Sequence, residues 1–298
     1  MSTIRQTILV TGGNSGFGRL IVETLARQGA HVFAGMRDPD GKNAQAAAEL
    51  RTLAEQEHLA LDIVSLDVTD DASVQQAIDY VVQKSGRLDV VVNNAGVSYT
   101  GPLETFSIAQ VQQQFETNVF GVWRVNHAAL PYMRAQKSGL LLHMGSVVGR
   151  IAFPFVGLYG ATKFALEGLT ESYRYELAPF GIDAVIVEPG TYPTTISKNR
   201  VPSEDSERLA PYAQAMGAFL AAFFAENRSA TPPDPQEVAD AVSQLIAQPA
   251  GTRPLRTVVA TASQRSYPQE INVTAERATR EYLASLRALL LVALAENE

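Results

Sequence analysis

The sequence predicts an α/β protein, with a parallel sheet of about seven strands covered by helices on both faces. Three observations carry that prediction. Short apolar runs alternate with longer segments of helical period along the chain. The runs are rich in Val, Ile and Leu without strict polar alternation, the pattern of strands buried on both faces. A glycine-rich turn, "TGGNSGFG" (11–18), joins the first run to the first helical segment.

In chain order, the strands are expected at "TILVTG" (7–12), "HVFAGM" (31–36), "LDIVSLD" (61–67), "LDVVVNN" (88–94), "LLLHMGS" (140–146) and "IDAVIVE" (182–188), with "LRTVVA" (255–260) as a seventh. Phe17, Leu20, Ile21 and Leu25 set a helical face directly after the first turn. The stretch 191–230 breaks the alternation, being first polar ("PTTISKNRVPSEDSER") and then apolar and aromatic ("APYAQAMGAFLAAFFAEN"). It predicts a lid inserted over a site. Pro-rich "SATPPDPQE" (229–237) resembles a linker, but too few residues follow it to build a second core, so residues 1–298 are expected to form one domain with a helical extension at 272–298. In that extension Leu283, Leu286, Leu290 and Leu294 mark an amphipathic helix docked on the body or on a partner subunit.

Composition excludes several classes of function. A formal net charge of −7 argues against a nucleic-acid partner, which would need a positive field to meet phosphates. The absence of cysteine removes disulfides, thiolate metal sites and a cysteine nucleophile, and the four histidines (His31, His58, His127, His143) are scattered, so no metal is expected. No secretory signal is read at the N-terminus, and the apolar run 283–295 is shorter than the roughly 20 residues that span a bilayer. The expectation is a cytoplasmic protein acting on a small molecule.

The glycine turn suggests a dinucleotide. Gly12, Gly16 and Gly18 follow a strand and open a helix, where the backbone can approach a pyrophosphate and the helix N-terminus offers N–H groups to its charge. Asn14, Ser15 and Phe17 complete the same contact. At the end of the second strand, "AGMRDP" places Met36 where a ribose-binding carboxylate would be expected, with Arg37 next. Arginine suits a 2′-phosphate, so NADP is expected over NAD. The alternative is that Arg37 projects into solvent or pairs with Asp38.

"YGATK" places Tyr159 one helical turn before Lys163, one of only five lysines. About 0.2 such pairs would arise by chance, so the pair alone is weak and its context decides. On a helix the two side chains share a face. An ammonium roughly 5 Å from a phenol favours phenolate by about 3 kcal/mol, making a tyrosine usable as an acid/base near neutrality.

Taken together, "TGGNSGFG", "NNAG" (93–96), Asn118 in "TNVFG", Ser146 in "MGSVVG", "YGATK" and "PG" (189–190) resemble the short-chain dehydrogenase/reductase family over roughly residues 6–260. The resemblance implies a Rossmann-type doubly wound sheet, a nicotinamide cofactor, hydride transfer at a carbonyl and a homodimer or homotetramer. It assigns Tyr159 as acid/base, Lys163 as its electrostatic partner, Ser146 as the carbonyl-binding hydroxyl and Asn118 as part of a water-linked proton relay. It also places Asn94, Ala95, Gly96, Pro189 and Gly190 beside the sugar and nicotinamide, Thr194 near the carboxamide, and Asp67 and Val68 beside the adenine.

Within the family the chain looks like members acting on steroids, retinoids or other ketones. Tyr99, Phe153, Phe155, Tyr212, Met216 and Phe219 are the candidate apolar substrate contacts, with Leu220, Phe223 and Phe224 in the same stripe, although that spacing also suits plain core packing. Two other readings stay open: a cofactor-sensing regulator without turnover, and an epimerase or dehydratase using the same Tyr/Lys pair.

Overall fold

Thr7–Thr11 (β1) runs through the middle of the sheet with all five residues buried. Because successive side chains point to opposite faces, Ile8 and Val10 join one core layer and Leu9 the other. This explains an apolar run without polar alternation. The computed structural model describes residues 5–226 and 232–295. Its other strands are His31–Met36 (β2), Leu61–Ser65 (β3), Val90–Asn93 (β4), Tyr99–Thr100 (β5), Gly139–Met144 (β6), Ile182–Pro189 (β7), Val201–Pro202 (β8) and Arg256–Val259 (β9).

Seven of them form one parallel sheet in the order β3-β2-β1-β4-β6-β7-β9. The doubly wound α/β fold read from the sequence is the observed one, and "LRTVVA" does supply the seventh strand, pairing Ile186 with Arg256 through Pro189 with Val259. Ile8 is in register with Val32 on one side and Val90 on the other. The chain order therefore reverses at β1, and the carboxyl ends of β1 and β4 part to leave the crevice where ligands of such sheets bind.

The helices are Gly16–Arg27 (α1), Ala44–Gln56 (α2), Asp71–Ser85 (α3), Ile108–Phe115 (α4), Gly121–Gln136 (α5), Gly157–Leu177 (α6), Thr195–Lys198 (α7), Ser206–Leu209 (α8), Ala213–Glu226 (α9), Gln236–Ala247 (α10) and Ala262–Ala295 (α11). One face of the sheet packs on α1 and α10 through Ile21, Val22, Val238 and Val242, the other on α3 and α5 through Ile78, Val81, Val125 and Ala129. Asp70 starts α3 by accepting from Ser73 N, and Gly86 ends it in the left-handed conformation at φ 71°.

The described part of the 191–230 insertion, residues 191–226, folds as α7, β8, α8 and α9. Its β8 is tied to the body by a short parallel pair with β5, Tyr99 opposite Val201. The C-terminal helix begins at Ala262, earlier than the extension expected from 272. Leu283 and Leu286 are exposed at its surface, and the side chains of Leu290 and Leu294 lie outside the described residues. Among the described residues no helix is long and apolar enough to cross a membrane.

Candidate active site

A cavity of about 980 Å³ opens at the carboxyl ends of β1, β4, β6 and β7, with the insertion on its far side. The glycine turn forms one end. Gly12 and Gly16 hold φ of 67° and 54°, which favours glycine, while a Cβ on Gly18 would stand 2.2 Å from the Gly12 carbonyl oxygen. Ser15 begins α1 with no side-chain cap, leaving its first-turn N–H groups at the cavity. Asn14 Nδ2 donates to Asn43 Oδ1 at 3.0 Å, and Phe17 packs edge-on against Tyr192 at 5.7 Å.

Asn94 fixes the other lip. Its Nδ2 donates to the carbonyls of Thr11 (2.9 Å) and Gly12 (3.2 Å), while the Thr11 hydroxyl accepts from the N–H groups of Asn94 and Ala95. The side chain thus staples β4 to the glycine turn, and Asn94, Ala95 and Gly96 line the cavity. Gly18 lies behind this lip, against Asn94 Nδ2, rather than on the cavity wall.

At the end of β2, Arg37 is exposed and lines the cavity with Lys42, which sequence reasoning did not single out. Arg37 makes no ion pair among the described residues. Asp38 is turned into its own loop, where it accepts from Lys42 N at 2.7 Å, so the pairing of Arg37 with Asp38 considered from the sequence does not occur. Asp67 and Val68 line the same end, and Asp67 Oδ1 accepts from both the N–H and the hydroxyl of Thr69.

The middle of the cavity holds Ser146, Tyr159 and Lys163. Ser146 follows β6 by two residues in extended conformation, its hydroxyl donating to Pro189 O at 3.4 Å and hydrogen-bonded with Tyr159. Tyr159 and Lys163 share one face of α6, with Lys163 Nζ 5.4 Å from the ring centroid and donating to Met144 O at 2.6 Å. Burial pushes the Lys163 ammonium down to about 8, against the opposing pull of Glu167. Burial also pushes the half-buried Tyr159 phenol well above its ordinary value, while the Ser146 hydrogen bond and the charge of Arg200 act the other way. Among protein groups alone this is the reverse of the direction expected from the lysine. The ammonium is itself desolvated and committed to Met144, so burial outweighs it.

Asn118 sits in a π-helical turn, Glu116–Phe120, and its side chain does not reach the cavity wall. Its Oδ1 accepts from Val97 N at 2.9 Å, and its Nδ2 donates to Val97 O and to the Thr162 hydroxyl. Both amide hydrogens are used, leaving one lone pair of Oδ1 as its unused capacity. Pro189, Gly190 and Thr194 line the cavity beyond β7, and the Thr195 hydroxyl, not anticipated, donates to Ser15 Oγ at 3.1 Å. That bond links the base of the insertion to the glycine turn.

Toward the insertion, Phe153, Phe155, Met216 and Phe219 line the cavity with Leu220 and Phe223. Phe155 meets Phe219 edge-on at 5.6 Å, and Phe153 meets Phe223 at 6.0 Å, so α9 closes against the 153–155 loop through aromatic contacts. Two expected contacts stand elsewhere. Tyr99 is buried in the β5 pair with its hydroxyl donating to Gln113 at 2.8 Å, and Tyr212 is drawn outward by a hydrogen bond to Glu104. In both cases a polar partner outside the cavity claims the phenol. The side chain of Phe224 lies outside the described residues. Arg200, Gln264 and Tyr267 line the cavity without having been anticipated, because neither the irregular insertion nor the start of α11 carries a motif that would single them out.

Behind Lys163, one turn further along α6, Glu167 accepts from Arg256 Nε at 2.8 Å beside fully buried Glu188. Asn272 Nδ2 donates to Glu188 Oε2 at 2.7 Å, while Glu167 Oε1 and Glu188 Oε1 have no hydrogen-bond donor. Burial and the neighbouring Glu167 carboxylate push the Glu188 carboxyl up to about 8. Below its ordinary value near 4.5 the group is neutral both folded and unfolded. As pH rises through that value toward about 8, only the unfolded chain releases the proton, so this site contributes progressively less stability, by at most about 1.4 kcal/mol per pH unit. Glu188→Gln should therefore gain stability relative to wild type as pH rises over that window in urea unfolding. A difference constant with pH would show Glu188 ionised in the folded protein.

A family model described as short chain dehydrogenase matches residues 6–205. A 3-ketodihydrosphingosine reductase of Bacteroides thetaiotaomicron is 34% identical over 254 residues, covering 85% of this chain and 87% of that protein. Human retinol dehydrogenase 8 is 36% identical over 220 residues, 70% of this chain and 68% of that protein. A solved short-chain dehydrogenase from Streptomyces avermitilis superposes with a TM-score of 0.76 at 29% identity, covering 96% of this chain and 99% of that one.

Proposed function

Because this chain belongs to the short-chain dehydrogenase/reductase family, and is an oxidoreductase using a nicotinamide cofactor, we propose that it transfers hydride between NADP(H) and a bulky apolar ketone or secondary alcohol. The observation that carries this reading is the convergence of Ser146, Tyr159 and Lys163 in one cavity with the glycine turn at one end and an aromatic wall at the other. When bound, the nicotinamide supplies or accepts the hydride, and its oxidised form adds positive charge beside the phenol.

The chain's own residues do the rest. Ser146 Oγ donates to the carbonyl oxygen and holds it as charge develops there. The Tyr159 hydroxyl gives its proton to that oxygen in reduction and recovers it in oxidation. Lys163 keeps positive charge beside Tyr159 and, fixed by Met144, is placed to hold a ribose hydroxyl. Asn118 pins the Val97 loop, so its part in the proposed proton relay is to position backbone and water rather than to carry the proton. Phe153, Phe155, Met216 and Phe219 exclude water over the reacting carbon, and movement of α7 to α9 admits the substrate. The relatives named for a ketodihydrosphingosine and for retinol support a substrate with a large apolar body.

For the cofactor, Arg37, without an ion pair among the described residues, and Lys42 beside it fit a 2′-phosphate, and no carboxylate ends β2 to repel one. Arg37→Ala should weaken NADPH binding by several-fold to a hundredfold, since a charge-assisted bond contributes about 1.5–3 kcal/mol, while changing NADH binding little. Titration by nucleotide fluorescence checks this, and equal losses for both cofactors would remove the NADP preference. We place the protein in the cytoplasm as a homodimer or homotetramer. The exposed Phe120, Trp123 and Phe164 give a second copy an apolar surface to cover, and a monomeric mass in sedimentation would contradict that assembly.

A further inference from the structure

The cavity is more positive than the protein that contains it. The whole chain carries −7, yet the cavity is lined by Arg37, Lys42, Lys163 and Arg200 with Asp67 as the acidic side chain among the described lining residues. Arg37 and Lys42 fit the cofactor's phosphate, and Lys163 is engaged by Met144. Arg200 has no such use. It is exposed, reaches the cavity from the segment between α7 and β8, and makes no hydrogen bond or ion pair among the described residues. Its placement is held by the next residue, because Val201 N donates to Ser98 O at 3.0 Å and pairs with Tyr99.

The phosphate end of the cavity is already provided for by the N-terminus of α1 and the glycine turn. The charge of Arg200 is felt instead at the Tyr159 phenol, where the carbonyl would sit. A guanidinium with no partner among the described residues, at the reacting end of a cavity with an apolar and aromatic wall toward the insertion, suits a ligand with an anion near its carbonyl and an apolar body beyond it.

We propose that Arg200 is a specificity-determining residue that binds a substrate carboxylate, so that the preferred substrates are amphipathic oxo acids and the corresponding hydroxy acids. This rests on the hydride-transfer reading above and narrows its substrate class. The carboxylate is held by the fork of Arg200, the ketone lies between Ser146 and Tyr159, and the apolar body lies against Phe155 and Phe219. An amino ketone, whose ammonium would face the same guanidinium, is disfavoured.

A matched pair tests this: 4-oxo-4-phenylbutanoate and its primary amide, which differ in charge at nearly constant shape. With the full chain and NADPH, wild type should reduce the acid with a KM roughly tenfold to a hundredfold below that for the amide, as expected for a charge-assisted pair. Arg200→Ala should erase that preference while leaving the amide and NADPH affinity near wild type, and Arg200→Lys should restore part of it. Equal efficiencies for acid and amide in wild type, or equal loss of both in Arg200→Ala, would overturn the proposal, the second result meaning that the charge acts through Tyr159. Weakened NADPH binding in Arg200→Ala would also overturn it by making the residue a cofactor contact. Calorimetric titration of the acid into the NADPH complex separates the two levels. Arg200-dependent binding without turnover supports the anion site and counts against hydride transfer, whereas no binding to wild type contradicts the anion site.

Discussion

Replacing Tyr159 by Phe should lower turnover by about a hundredfold to ten-thousandfold, the range a positioned general acid contributes. NADPH affinity should stay close to wild type. The substitution removes one hydroxyl, leaves the ring on α6 above Lys163, and touches neither the glycine turn nor Arg37. Because burial among the protein groups raises the phenol, Tyr159 enters the reducing direction protonated, ready to donate. The oxidising direction needs the phenolate and should therefore gain rate as pH rises. Steady-state rates with nucleotide titration on the same preparation check the loss. A Phe variant retaining more than about a tenth of the wild-type rate would mean that another group moves the proton.

Gly18→Val should have the second large effect, acting on the cofactor rather than on the chemistry. Its first added carbon would lie 2.2 Å from the Gly12 carbonyl oxygen and 2.4 Å from Asn94 Nδ2, the atom that staples β4 to the turn. A backbone oxygen cannot rotate away as a long side chain can, so α1 must shift and carry its N-terminal N–H groups with it. Overpacking of this kind costs about 1–3 kcal/mol in stability, and loss of a comparable amount from nucleotide binding would lower affinity by roughly tenfold to a hundredfold or more. Thermal unfolding with and without NADPH measures both. Wild-type stability together with wild-type stabilisation by NADPH would show that the turn accommodates the side chain.

The fold was legible where local physics and tertiary packing agree. Every strand of the large sheet lies within or beside an apolar run, because strands buried on both faces need no partner outside the run to be recognised. Motif residues were legible where the backbone itself makes the contact, as at Gly12 and Gly16, whose positive φ restricts the residue type. Less was legible where long-range hydrogen bonds decide orientation. Nothing near Tyr99 or Tyr212 announces Gln113 or Glu104 as its partner, so their phenols were expected in the cavity and are drawn away from it. Asn118 shows the same limit, since its position follows the motif but its amide is spent on Val97 and Thr162. Arg200 and Lys42 come from irregular segments whose approach to the cavity depends on the whole fold.

The same physics accounts for the C-terminal helix. Its sequence period marks an amphipathic segment late in the chain, but its start at Ala262 is set by contacts that periodicity does not register. Gln264 Oε1 accepts from Thr191 N at 2.7 Å, and Asn272 reaches Glu188. The extension is thereby joined to the end of β7, one residue from Pro189 in the cavity wall.

The most direct test of hydride transfer uses NADPH carrying deuterium at the transferring position of C4, incubated with the purified full chain and a panel of bulky apolar ketones, with and without a carboxylate. Mass spectrometry of the products should find one deuterium on the new carbinol carbon, formed in step with loss of NADPH, and bulky ketones should be reduced more efficiently than sugars or short hydroxy acids are oxidised. Tight NADPH binding with no labelled alcohol from any ketone would contradict hydride transfer and favour a cofactor-sensing protein.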